Sequence, residues 1–181
     1  TLNWAVPSGV TKIMIEVWGG GGMGLYEPNG VYSTGGGGGG GGYGKGVFSV
    51  NPGDSYSITV GKGGSTLLDA GDHDKGESGG KSSFGNLIYA NGGTGAEPDY
   101  DTILPFSGRG MGGTSNGAIN IRGEDGRAFS GVGGDGANGG KGGILSTFEN
   151  LPFSLEYLPI APGGGGGDGQ AGAHGRVIVW W

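Results

Sequence analysis

Unbroken runs of glycine are the feature that most constrains this chain. Glycine accounts for 52 of its 181 residues, and residues 19–22, 35–42 and 163–167 are glycine at every position. Glycine loses more backbone freedom on folding than any other residue, and ordering each residue costs roughly 1–2 kcal/mol of backbone entropy. The chain is therefore either disordered or ordered by an unusual kind of backbone packing.

Short apolar blocks between the glycine runs favour the ordered alternative. Residues 11–18 alternate, so that Ile13, Ile15 and Val17 share one face, as in a half-buried strand. Other strands are predicted over residues 2–6, 44–50, 55–60, 82–90, 118–122 and 176–181. We expect the strands at 44–50 and 55–60 to pair as a hairpin, and no segment has a convincing helical period. The prediction is an all-β fold, an antiparallel sandwich or jelly roll, in one domain over residues 1–181.

The long glycine-rich insertions need a structure of their own. A polyproline-II helix has three residues per turn and no internal hydrogen bonds, so its N–H and C=O groups point outward. When the residues are glycine, no side chains keep neighbouring helices apart, and lateral hydrogen bonds can pair the backbone groups that packing buries. We predict that the insertions pack as a polyglycine-II bundle. The alternative is a set of mobile linkers.

Charge and cysteine content exclude several classes of function. The net charge of −6 argues against nucleic acid or an anionic membrane as the partner. The absence of cysteine removes disulfides and thiolate metal sites. No apolar run approaches the ~20 residues that span a bilayer. Trp4, Trp18, Trp180 and Trp181 lie in predicted strands, and we interpret them as core or subunit-interface residues.

Three polar patterns suggest chemistry only weakly. Gly80-Lys81-Ser82 resembles the end of a phosphate-binding loop, but Lys75 stands where that motif needs glycine. Asp72, His73 and Asp74, with Asp69, could hold calcium, yet their spacing fits no calcium loop, and a solvated or receptor-contacting loop is favoured. Neither histidine has a nucleophile partner. We expect no enzymatic activity, no metal and no cofactor.

Aromatic residues in inserts that interrupt the glycine-rich sequence are better candidates for a binding site. Aromatic rings beside Asp, Asn or Glu suit sugar faces or protein epitopes, although such rings could instead cap the ends of the bundle. The apolar segment 144–162 could be a trimer contact, a receptor loop or a cover for the bundle. We predict a ligand-binding surface formed by these inserts and the acidic loop: Tyr26, Asn29, Tyr32, Asp72, His73, Asp74, Tyr100, Asp101, Phe106, Phe153 and Tyr157.

The order of the motifs resembles a known family. Residues 4–22, 43–61, 82–85 and 175–180 follow one another as in the glycine-rich domain at the distal ends of bacteriophage tail fibres and related adhesins. The glycine-rich region of anaplastic lymphoma kinase is similar as well, although this chain lacks every cysteine. In the adhesin tips of some phages, polyglycine-II helices carry variable loops that touch the host receptor.

The resemblance implies a non-catalytic adhesin tip. Such a tip would be the C-terminal fragment of a longer fibre protein, extracellular on a phage virion or a bacterial surface, and homotrimeric. It would bind a bacterial surface polysaccharide or an outer-membrane protein. The alternative is a structural module that terminates and trimerises a fibre without a ligand of its own.

Overall fold

The computed structural model describes residues 1–25, 36–65, 75–99, 106–127, 132–146, 155–157, 162–167 and 170–181. Their regular secondary structure is β-strand, with no α-helix among these residues. The strands in chain order are β1 (Leu2–Ala5), β2 (Lys12–Trp18), β3 (Tyr43–Ser49), β4 (Ser55–Thr59), β5 (Ser82–Phe84), β6 (Ile88–Ala90), β7 (Pro98–Asp99), β8 (Phe106–Ser107), β9 (Ile119–Ile121), β10 (Ile144–Ser146), β11 (Leu155–Tyr157) and β12 (Arg176–Trp180).

Two antiparallel sheets of four strands each form a β-sandwich, as predicted. The first sheet has the order β1-β4-β5-β6, and the second has the order β12-β2-β3-β9. Two further pairs, β7 with β8 and β10 with β11, are separate two-stranded hairpins. Both hairpins interrupt glycine-rich sequence.

The hydrophobic core lies between the two sheets. Ile13, Ile15 and Val17 of β2 are 1%, 0% and 0% exposed, which confirms the face predicted from their alternation. From the first sheet, Phe84 and Ile88 pack against the same cluster and are fully buried. Burying a side chain of this size contributes about 1.5–3 kcal/mol, so this layer is the main source of stability in the sandwich.

The predicted hairpin between residues 44–50 and 55–60 is wrong. β3 pairs with β2 and β9 in the second sheet, whereas β4 pairs with β1 and β5 in the first. The turn after Asn51, in which the Asp54 N–H donates to the Asn51 carbonyl at 3.1 Å, carries the chain from one sheet to the other. This crossing lets Phe48 and Ile58 pack against one core from opposite sides.

The single strand predicted over residues 82–90 is two strands. Gly85 has φ of 51°, in the left-handed region that favours glycine, and it turns the chain so that β5 and β6 pair as a tight hairpin. Phe84 lies opposite Ile88 across this hairpin, and both side chains face the core. The apolar pattern therefore continues through the turn, so the sequence pattern predicts one strand where there are two.

The four tryptophans divide between the core and the surface. Trp18 is buried against Tyr43, with ring centroids 4.8 Å apart, and Trp4 is half-buried beside Phe84. Trp180 and Trp181 are 52% and 68% exposed, so they are not core residues of this chain. A role for these two in a subunit interface stays a prediction.

Candidate functional site: the glycine bundle

The strands of the sandwich continue directly into glycine segments. Trp18 and Tyr43 are the last residue pair of β2 and β3. Immediately beyond them, lateral bonds join residues 19–25 (the first central segment) to residues 36–42 (the second central segment). The donors recur at every third residue: Gly19 N to Gly42 O at 2.9 Å, Gly22 N to Gly39 O at 2.8 Å, and Leu25 N to Gly36 O at 2.8 Å. A period of three is that of polyproline-II geometry, whereas a strand has a period of two.

The first central segment bonds to neighbours on every side. Besides the second central segment, it donates to residues 77–80 and to residues 170–173, each through two N–H groups three positions apart. Its carbonyls accept bonds from three more segments, through the N–H groups of Gly64, Gly93, Ala96 and Gly166. These lateral bonds pair the buried backbone groups of the segment, which has no hydrogen bonds within itself.

The second central segment repeats this arrangement. Its N–H groups from Gly37 to Gly42 donate in a three-residue cycle to residues 124–127, 163–166 and 91–94. Its carbonyls accept bonds from the first central segment and from the N–H groups of Gly110, Gly113, Gly134 and Ala137. The glycine-rich segments therefore form the predicted polyglycine-II bundle within the described part of the chain, in place of mobile linkers.

Glycine is required throughout the second central segment because there is no room for a side chain. The φ angles of Gly39, Gly40 and Gly41 lie outside the left-handed region, so their backbone torsions alone do not require glycine. A Cβ atom at each of these positions would lie 2.1 Å from a carbonyl oxygen of a neighbouring segment. Ordinary contacts of a Cβ begin near 3.4 Å. Packing at this density determines the unbroken glycine run.

The outer segments need glycine only where they face inward. In residues 123–127, Gly123 and Gly126 lie three positions apart, and a Cβ on either would come within 2.2 Å or 1.9 Å of a carbonyl oxygen of the second central segment. Asp125 lies between them, with its side chain 24% exposed. Two glycines three positions apart thus mark the inward face of this outer segment, whereas every residue of the second central segment is glycine.

Side chains replace the missing neighbour at the surface of the bundle. An oxygen or nitrogen atom of each such side chain accepts a hydrogen bond from an outward backbone N–H group that no further glycine segment reaches. The bonds are Gly112 N to Asp125 Oδ1 at 2.8 Å, Gly142 N to Asp135 Oδ1 at 2.8 Å, Ser65 N to Glu77 Oε2 at 3.1 Å and Gly63 N to His174 Nδ1 at 2.9 Å. Inside the fold, the Gly61 N–H donates to the buried Ser82 Oγ at 2.9 Å in the same manner. Sequence reasoning missed this capping role.

All three capping carboxylates have pKa values below their ordinary values. Hydrogen bonds from the Ser65 hydroxyl and the Ser65 N–H lower the pKa of Glu77. Burial raises the pKa of Asp125, but the Gly112 N–H and the guanidinium groups of Arg122 and Arg109 outweigh it, so the pKa lies below its ordinary value. Burial likewise raises the pKa of Asp135, and the Lys141 ammonium with the Gly142 N–H brings the net value down. All three carboxylates are therefore charged where they hold the bundle surface together.

The bundle has one end at the sandwich and one end remote from it. At the remote end the chain passes from an outgoing segment to a returning one, and the described residues that flank each passage are hydrogen-bonded to each other. Leu25 bonds to Gly36, Arg127 N donates to Val132 O at 2.9 Å, and Gly167 N donates to the Gln170 side chain at 3.2 Å. Several connections are thereby anchored side by side at one end.

Most of the predicted site residues lie in stretches that the structure does not describe. Nine of them lie outside the described residues: Tyr26, Asn29, Tyr32, Asp72, His73, Asp74, Tyr100, Asp101 and Phe153. The backbone of Phe106 pairs with Asp99 in the hairpin of β7 and β8, and the backbone of Tyr157 pairs with Ile144 in the hairpin of β10 and β11. The proposed ligand surface therefore stays a prediction.

The described residues offer little support for a phosphate-binding loop, a metal site or a membrane-spanning helix. Ser82 opens β5 and is fully buried as an acceptor for the Gly61 N–H, and no helix follows it as a phosphate-binding loop would require. The described ranges contain no group of three or more potential metal ligands. They also contain no helix long and apolar enough to cross a bilayer.

Comparison with known families identifies a glycine-rich domain. The model of a family described as a glycine-rich domain matches residues 1–177, which is nearly the whole chain. A search of curated proteins returns no match.

Proposed function

This chain belongs to the family of glycine-rich domains, and we propose that it is the non-catalytic, receptor-binding tip of a fibre. In this proposal the loops between glycine segments recognise a bacterial surface polysaccharide or an outer-membrane protein. The tip acts outside the cell, on a phage virion or a bacterial surface. Its mechanism is binding, with no bond made or broken.

The observation that supports this proposal is the hydrogen-bonded bundle with its anchored connections. Because the segments that flank the connections are bonded laterally at every third residue, the roots of the loops are fixed before a ligand arrives. Preordered loops lose less conformational entropy on binding, which leaves more of the contact energy for affinity. The resemblance to fibre tips adds the expectation of a homotrimer, in which three copies would multiply weak contacts.

The experiment is a binding assay with paired variants. The protein is tested on a glycan array and on whole bacterial cells, first unaltered and then as the double variant Tyr100→Ala and Tyr157→Ala. The matched control is Tyr89→Ala, which removes an exposed tyrosine from β6 on the sandwich. We expect the double variant to lose at least tenfold in affinity while the control binds normally. Equal binding by both variants would contradict the proposed surface.

The acidic loop is tested in the same way. Asp72→Asn with Asp74→Asn is compared with Asp54→Asn, which lies in a turn of the sandwich. Loss of binding in the loop variant alone supports a receptor contact there. Unchanged binding would leave that loop as a solvated segment.

A structural module is the second candidate. It is favoured by the exposed apolar side chains on the second sheet, since such a surface is typical of a protein interface. In that case a well-folded multimer would bind no glycan and no cell, and substitutions in the connections would leave fibre assembly intact.

A further inference from the structure

The second sheet has an outer face that nothing in the described chain covers fully. Residues directly opposite each other in antiparallel strands point to the same side of a sheet. Trp180, Met14 and Val47 therefore form one row on the outer face, and Ile178, Glu16, Lys45 and Ile119 form the next row. The outer face is defined here by Met14, Val47, Ile119, Ile121, Ile178 and Trp180, with the pair Glu16–Lys45 among them.

This outer face is apolar and open. Val47 is 66% exposed, Trp180 52%, Ile119 51% and Ile121 41%. Single exposed apolar side chains are ordinary on protein surfaces, but a contiguous group marks an association site. Tryptophan is also enriched among the residues that carry binding energy at interfaces.

One ion pair lies within the outer face. The Lys45 ammonium lies 3.0 Å from the Glu16 carboxylate, and these side chains are 30% and 15% exposed. The indole N–H of Trp18 donates to the Asn138 carbonyl at 3.4 Å. Covering the face would therefore leave neither charge of this ion pair without a partner, and a buried charge without a partner is strongly destabilising.

We propose that the outer face packs against the same face of another copy of this chain. With a symmetry axis parallel to the strands, two-fold or three-fold, the Lys45 side of one copy meets the Glu16 side of the next. The contact is thus charge-complementary. It also places opposite charges together on a chain whose net charge of −6 otherwise makes copies repel each other.

This arrangement has a consequence for the bundle. An axis parallel to the strands keeps the bundles of all copies at the same end of the assembly, because the glycine segments continue from the strands. The outer face would then be the contact surface of the oligomer in the proposed function. The contact itself does not depend on that function; only the advantage of displaying several tips together rests on it.

The test is the molar mass of the protein in sedimentation equilibrium over a range of concentrations. We expect the chain, of 17.8 kDa, to sediment at two or three times that mass. Val47→Asp should weaken association at least tenfold and shift the mass to that of the single chain. Leu2→Asp is the matched control, because Leu2 is equally exposed at 66% but lies in β1 of the first sheet. Circular dichroism confirms that both variants fold.

A second measurement uses the absence of cysteine. Single variants Val47→Cys and Leu2→Cys, labelled with pyrene, carry one probe per chain. Excimer emission from the Val47 position alone supports the proposed contact. A single-chain mass for the unaltered protein, or equal effects at the two positions, would overturn it. A monomer that still binds cells would leave the recognition role standing, whereas a multimer that binds nothing would overturn that role alone.

Discussion

Gly40→Ala is the substitution that most directly tests why the central segments are glycine. Gly40 lies in the middle of the second central segment. The added Cβ would lie 2.1 Å from the Asp135 carbonyl oxygen, whereas ordinary contact begins near 3.4 Å. The neighbouring backbone must therefore retreat by about 1.3 Å, which is 3.4 − 2.1.

That retreat disturbs hydrogen bonds as well as packing. Gly40 N donates to Glu124 O at 2.8 Å, and Gly113 N donates to Gly40 O at 2.8 Å. Losing two such bonds costs about 1–3 kcal/mol, and overpacking costs about 1–3 kcal/mol more. We expect a loss of about 2–6 kcal/mol, a large part of the 5–15 kcal/mol that typically separates the folded from the unfolded state.

The assay is equilibrium unfolding in urea, monitored by tryptophan fluorescence. The midpoint of thermal unfolding is measured as well. The control is Gly53→Ala in the turn after β3, where φ is 88° and a Cβ would meet nothing within 4 Å. Its cost is one of torsion only, about 1–2 kcal/mol. If Gly40→Ala were no more destabilising than Gly53→Ala, the packing argument would be refuted.

Three further substitutions test other parts of the fold by the same assay. Ser82→Ala leaves the buried Gly61 N–H without its acceptor and should cost about 1–3 kcal/mol; a neutral result would contradict the capping role. Ile15→Ala opens a cavity in the core and should cost about 2–5 kcal/mol, against about 0.5–1.5 for Ile15→Val. The folded pKa of Asp125 lies below its ordinary 3.8, so its stabilisation is present above that value and is lost as pH falls through the folded pKa. Asp125→Asn should therefore flatten the fall in stability that begins as the pH drops through 3.8.

The sequence predicted the strands and their buried faces well. Alternation at Ile13, Ile15 and Val17 depends on the local period of the chain, and the core confirms it. The pairing of strands does not depend on a local pattern. The apolar residues after Asn51 indicate which face of the following strand is buried. They do not indicate its pairing partner, because a hairpin and a crossing between sheets would both bury that face.

The bundle could be predicted from its central runs but not in its outer parts. An unbroken run such as residues 36–42 has few other ordered structures available. The single glycines at 123 and 126 were indistinguishable from the many others in this composition, because their inward direction is set by neighbours distant in sequence. The candidate ligand residues could be predicted only from their residue types and from their positions in connections. The sequence does not show which of them share one surface, because that depends on how separate loops lie together.

Amide hydrogen exchange of residues 36–42 tests the central claim most directly. Each N–H from Gly37 to Gly42 donates to a carbonyl of another segment, at 2.7–3.0 Å. Packing of this kind predicts protection comparable to that of β2 in the sandwich core. Exchange at the rate of an unstructured glycine peptide would contradict the bundle and remove the scaffold on which the proposed recognition surface depends.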